Sequence, residues 1–147
     1  MQTAFTFVDV DGNTLKVDNF RYEFPGAADG DDANWLCCRI TLHATIKHSV
    51  EGFFLTREVS DLAERLRCVL ESPASDQEVE FETLEPYLNL AISKNQLKIL
   101  VVARVDLQPA LGPVVEFCFA CRPADVALTL DEIKRVAATF PVRKPSL

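Results

Sequence analysis

The chain has 147 residues, 48% of them hydrophobic and 25% charged, with a net charge of −7. That length suits a single domain over residues 1–147 with one core, and those proportions exclude a disordered or fibrous chain. The negative balance argues against a nucleic-acid partner, because affinity for phosphate backbones depends on clustered Lys and Arg.

The opening run MQTAFTFVDVDG has neither the basic start nor the long apolar stretch of a secretory signal. No segment approaches the roughly 18 apolar residues of a membrane span. A cytoplasmic location without a membrane partner is therefore expected. Five cysteines, an odd number that includes the adjacent Cys37 and Cys38, do not suggest a disulfide framework, and reduced thiols are expected.

In chain order, residues 4–10 and 14–20 are β-rich and flank Asp11-Gly12-Asn13, a sequence suited to a tight hairpin. Residues 24–32 hold Pro25, Gly26 and Gly30 among small and acidic side chains and read as a loop. From Asn34 to Ile46 the chain alternates: Leu36, Cys38, Ile40, Leu42, Ala44 and Ile46 share a core face, and Arg39, Thr41, His43 and Thr45 share the other. Phe53 to Leu55 form a short strand. A helix over 60–71 then follows, capped by Ser60 or by an Asp61–Glu64 box, with Leu62, Ala63, Leu66, Val69 and Leu70 as its apolar stripe.

Strands are expected at 78–82, about 88–92, 97–107 and 115–119, with Val79 and Phe81 facing inward against Glu78, Glu80 and Glu82 outward. Short connections make them antiparallel neighbours. Val126, Leu130, Ile133, Ala137 and Phe140 have helical spacing, which predicts a second helix over 125–139, capped by Asp125 or by a Thr129–Glu132 box and stopped by Pro141. The expected architecture is α+β: a curved antiparallel meander of six to seven strands with two packing helices.

The residues offer little chemistry. Cys118 and Cys121 have half the spacing of a zinc site, but on a strand residues three apart point to opposite faces. His43 lies on a polar strand face with no nucleophile elbow or phosphate-cradling glycine loop in the chain to serve. The Asp29, Asp31, Asp32 cluster lacks the alternating acids and terminal Glu of a calcium loop. No catalytic residue, cofactor or metal is expected.

Distribution of charge is more telling. From Glu71 to Glu85 there are six acids (Glu71, Asp76, Glu78, Glu80, Glu82, Glu85) and neither Lys nor Arg. A strand carrying such a row repels itself until a basic partner relieves it, or serves as a charged edge that discourages aggregation. Asp29, Asp31, Asp32 and the sole tryptophan, Trp35, join Glu78, Glu80 and Glu82 as candidate partner-binding residues. Trp35 would either anchor an interface or close the edge of the core.

Four segments in order, Asp32-Ala-Asn-Trp-Leu36, Leu55-Thr56 through Leu66, Phe81-Glu-Thr-Leu-Glu-Pro-Tyr-Leu88 and Phe140-Pro-Val-Arg143, resemble the WapI-type immunity proteins that accompany bacterial polymorphic toxins. The four cysteines Cys37, Cys38, Cys118 and Cys121 depart from that pattern. The resemblance implies a binding protein that neutralises a cognate toxin domain stoichiometrically, with no catalytic residues to transfer. Two alternatives remain: a small-ligand-binding or enzymatic α+β domain with a pocket near His43 or Glu116, and a homodimer formed through an exposed strand edge.

Overall fold

The computed structural model describes residues 3–28, 30–73, 78–109 and 111–144. Asp29 and Asp76, both counted above among the acids, lie outside them.

β1 (Phe5–Val8) and β2 (Thr14–Tyr22) pair antiparallel around the expected turn. Asp9 organises it: its carboxylate accepts hydrogen bonds from the Asp11 and Asn13 amides at 2.9 and 2.8 Å and from the Asn13 carboxamide at 2.9 Å. Gly12 sits there at φ +87°, a conformation that a side chain disfavours. β3 (Trp35–His43) and β4 (Lys47–Leu55) extend the same sheet in the order β1-β2-β3-β4. Leu36, Cys38, Ile40 and Leu42 are buried as the alternation requires. The pattern ends earlier than expected, because β3 stops at His43 and the chain turns into β4, which leaves Ile46 65% exposed.

α1 (Thr56–Glu71) starts at Thr56, ahead of the expected 60–71. Its first turn is completed by Glu58, whose carboxylate accepts the Leu55 amide at 2.7 Å and so satisfies one of the donors a helix start leaves free. Asp61 and Glu64 are therefore interior helical residues: Asp61 pairs with Arg65 at 2.8 Å, and Glu64 pairs with Arg67, which also meets Glu71.

β5 (Glu78–Glu82), β6 (Leu88–Asn95), β7 (Lys98–Asp106) and β8 (Val114–Cys121) form a second sheet in chain order. α2 (Pro123–Thr139) begins with a proline, whose fixed φ and missing N–H suit a first helical position, so Asp125 lies within the first turn. The α+β class, the antiparallel pairing and the two helices are as expected. The number and grouping of strands differ: eight strands form two sheets of four, because α1 intervenes between β4 and β5 and sheet pairing restarts after it. The chain thus runs through four strands and a helix twice.

Each helix latches the first strand of the opposite sheet. From α2, the Thr129 hydroxyl donates to the Thr6 carbonyl at 2.6 Å, and Glu132 accepts the Thr6 amide at 3.2 Å. These two residues, expected to form a helix-capping pair, occupy the free edge of β1 instead. From α1, the Arg65 guanidinium donates to the Glu80 carbonyl of β5 at 2.6 Å. Such latches cover backbone groups that would otherwise invite another strand.

The inner faces of both sheets and the apolar stripes of both helices share one core, in which Phe54 of the first sheet stacks on Phe81 of the second with ring centroids 6.2 Å apart. Each fully buried side chain of this kind stabilises the fold by about 1.5–3 kcal/mol relative to exposure.

Candidate partner-binding surface

Glu78, Glu80 and Glu82 project from the outer face of β5, an edge strand, and all three are exposed. Successive members stand about 7 Å apart by strand rise. Glu82 accepts a hydrogen bond from Asn89 across the strand pair at 2.9 Å, and none of the three carboxylates makes an ion pair among the described residues. Their inward neighbour Phe81 is 1% exposed and anchors the strand from behind. Glu71, counted with this row in the sequence, is instead compensated by Arg67.

The acidic loop before β3 behaves differently. Asp31 is exposed but held by Arg57 at 3.0 Å, and Asp32 is exposed at the start of a short 3-10 turn, Asp32–Asn34. Trp35 follows on the outer face of β3, half-buried, and lines a cleft together with residues of a second, distant segment. This segment is the connection between β5 and β6.

That connection is pinned from two directions. Glu58 of α1 accepts the Leu84 amide at 2.6 Å through the carboxylate oxygen not used at the helix start. The Thr83 hydroxyl has two carbonyls of the turn within reach of its single proton, that of Glu85 and, at 3.2 Å, that of Leu88. Burial pushes the Glu58 carboxyl above its usual range, although both amide donors pull it back down. The turn brings Tyr87 against Phe53 of β4, ring centroids 5.7 Å apart. A cleft of about 240 Å³ results, lined by Glu23, Phe24, Trp35, Phe53, Glu85 and Tyr87.

Two other clefts measure about 190 and 290 Å³, the first lined in part by Glu82, Asn89 and Arg104, the second by α2 and β1 residues. All three fall below the roughly 300 Å³ at which small-molecule sites begin. Neither His43 nor Glu116 lines any of them. Glu116 pairs with Arg104 at 3.6 Å.

Three of the thiols, Cys37, Cys38 and Cys121, sit in surroundings that suppress reactivity. Burial, reinforced by a hydrogen bond to Glu23, pushes the Cys37 thiol up to about 12, and burial pushes Cys121 up to about 12 as well. Cys38 is raised by burial too. Cys118 is exposed and Cys121 buried, on opposite faces as their spacing dictates. Among the described residues no three His, Cys, Asp or Glu side chains converge to hold a metal, and no helix is long and apolar enough to cross a membrane.

Three of the four segments that carry the family resemblance meet at Asn34, 9% exposed, and the fourth is tied to them through the Leu84 amide on Glu58. The Asn34 side-chain oxygen accepts the Thr56 hydroxyl at 2.9 Å and the Arg143 amide at 2.7 Å. Its amide nitrogen donates to the carbonyls of Gly30 at 2.9 Å and Arg143 at 3.0 Å. The side chain's full complement of two acceptor and two donor positions is used. Arg143 then donates to the carbonyls of Ala33, Pro25 and Phe24 at 2.6, 3.0 and 2.9 Å, with its guanidinium 4.0 Å above the Tyr22 ring. Of the residues this network holds, Phe24 also lines the Trp35 cleft.

No curated protein matches this chain in sequence. Among solved structures, one described as the plant transcriptional regulator PBF-2 is similar with a TM-score of 0.49 and 9% identity, over 95% of this chain and 81% of that one. The sequence profile of the Immunity protein WapI-like family matches residues 6–141. The chain belongs to the Immunity protein WapI-like family.

Proposed function

We propose that this protein neutralises a cognate toxin domain by stoichiometric binding in the cytoplasm, without bond-making chemistry of its own. Family membership over residues 6–141 carries the reading. The exposed row of Glu78, Glu80 and Glu82, without an ion pair among the described residues, adds the direction of the electrostatics: the contacting face of the toxin is basic. A toxin that attacks nucleic acid has such a face by necessity, since it must attract phosphate. An inhibitor that covers it needs no catalytic group, only a complementary acidic surface on a stable frame.

The test is co-expression with candidate toxin domains, the variable C-terminal domains of large secreted proteins, beginning with any such protein found encoded beside this chain. Growth restored by the wild-type chain, together with a one-to-one complex of the purified proteins, is the expected result. Continued toxicity despite full expression of folded protein would overturn the proposal.

A further inference from the structure

The cleft between Trp35 and the β5–β6 turn has a specific chemistry. Three aromatic rings, Trp35, Phe53 and Tyr87, form half-buried walls, and a fourth, Phe24, is 46% exposed at the rim. Two acidic residues, Glu23 and Glu85, complete the lining, which among the described residues contains neither Lys nor Arg. Glu23 is fixed beside Trp35 by its amide, which donates to the Trp35 carbonyl at 2.9 Å, and by the Cys37 thiol, which donates to its carboxylate. Phe24 is fixed through its carbonyl by Arg143. At about 240 Å³ the cleft suits one long side chain better than a cofactor.

We infer that this cleft receives the guanidinium side chain of an arginine presented by the partner. Aromatic faces attract a cation through their quadrupole, and two acids at the rim supply acceptors for the guanidinium fork. A planar guanidinium can use both at once, stacking on a ring while its edge donates to carboxylate; a lysine ammonium offers only a point charge. The inference deepens the immunity reading, and rests on it for the identity of the partner. The chemistry of the cleft can be probed without the partner.

Trp35 is the only tryptophan in the chain, so its fluorescence reports this site directly. N-acetyl-arginine amide is titrated against wild-type protein, with the neutral isostere N-acetyl-citrulline amide as comparison. Saturable change with the arginine probe, about fivefold or more stronger than with citrulline and lost in the Glu23→Gln, Glu85→Gln double variant, is the expected result. Equal responses to the two probes, an undiminished response in the double variant, or no saturable response would each overturn the inference. A second arm measures affinity of the double variant for the toxin domain. Binding of wild type and variant with equal affinity removes the cleft from the interface and leaves the immunity proposal standing. Failure of wild type to bind the toxin, with the arginine probe still bound, sinks the functional proposal and preserves the chemistry of the cleft.

Discussion

Asn34 and Arg143, 109 residues apart, exchange a reciprocal pair of hydrogen bonds: the Arg143 amide donates to the Asn34 side-chain oxygen at 2.7 Å, and the Asn34 side-chain nitrogen donates to the Arg143 carbonyl at 3.0 Å. An amide side chain thereby substitutes for a strand partner and ties the C-terminal segment to the start of β3. Replacing Asn34 by Ala leaves the Thr56 hydroxyl and the Arg143 amide without their acceptor in a buried site. Asn34→Ala should lower the unfolding free energy by about 2–3 kcal/mol in urea titrations; a loss below about 0.5 kcal/mol would mean that the junction does not hold the fold.

Gly52 marks where β4 must stay thin. In Gly52→Ala the Cβ would stand 2.7 Å from Cδ1 of the buried Ile40, whose side-chain end must shift, and at ordinary contact, 3.5 Å, from Cβ of Tyr87. Overpacking of this kind costs about 1–3 kcal/mol. The variant should melt at lower temperature in calorimetry; an unchanged melting temperature would show that the Ile40 side chain gives way at no cost.

Glu58 supplies a pH signature. Burial raises its carboxyl in the folded state above the model-peptide value of 4.5, so between that value and the higher folded one the native state binds more protons than the unfolded chain. Its contribution to stability is therefore fully present below about 4.5 and is lost as pH rises through the folded value. Urea midpoints of wild type and Glu58→Gln measured from neutral pH downward should show the wild type gaining on the variant as pH falls into that window. Parallel curves would show that Glu58 titrates alike in both states.

The cysteines should differ sharply in reactivity. With thiols pushed up to about 12, Cys37 and Cys121 present on the order of one thiolate in ten thousand near pH 8. Iodoacetamide followed by mass mapping of the native protein should label the exposed Cys118 first and leave Cys37, Cys38 and Cys121 unmodified. Early labelling of Cys37 would contradict the hydrogen-bonded, buried placement beside Glu23.

Local pattern made much of this fold legible. Alternation over Leu36 to Leu42, Val79 to Phe81 and Ile99 to Val105 identified buried strand faces, because a strand face is decided by neighbours two residues away. The division into two sheets was not legible, since a helix between β4 and β5 is compatible with pairing on either side of it. The start of α1 was misplaced because Asp61 and Glu64 imitate a capping pair while Glu58 does that work. Thr129 and Glu132 imitated another and serve the edge of β1.

The candidate surface was legible in part. Glu78, Glu80 and Glu82 were visible as outward positions of one strand, whereas for Trp35 the sequence left open an interface anchor or a residue closing the edge of the core, and the structure places it on the outer face of β3. Glu23, Phe53, Glu85 and Tyr87 carry no local sign that they meet Trp35. Their convergence depends on a turn held by Glu58, 26 residues from the Leu84 amide it accepts. Tertiary hydrogen bonds of that span leave no periodicity to detect.

Calorimetric titration of the toxin domain with the wild-type chain and with the Glu78→Lys, Glu80→Lys, Glu82→Lys triple variant addresses the electrostatic account most directly. All three side chains are exposed and free of ion pairs among the described residues, so the variant should melt within a few degrees of wild type. The account predicts a one-to-one complex whose affinity weakens with salt for the wild type and is lost in the variant. Undiminished binding by the variant, with the same salt dependence, would contradict it.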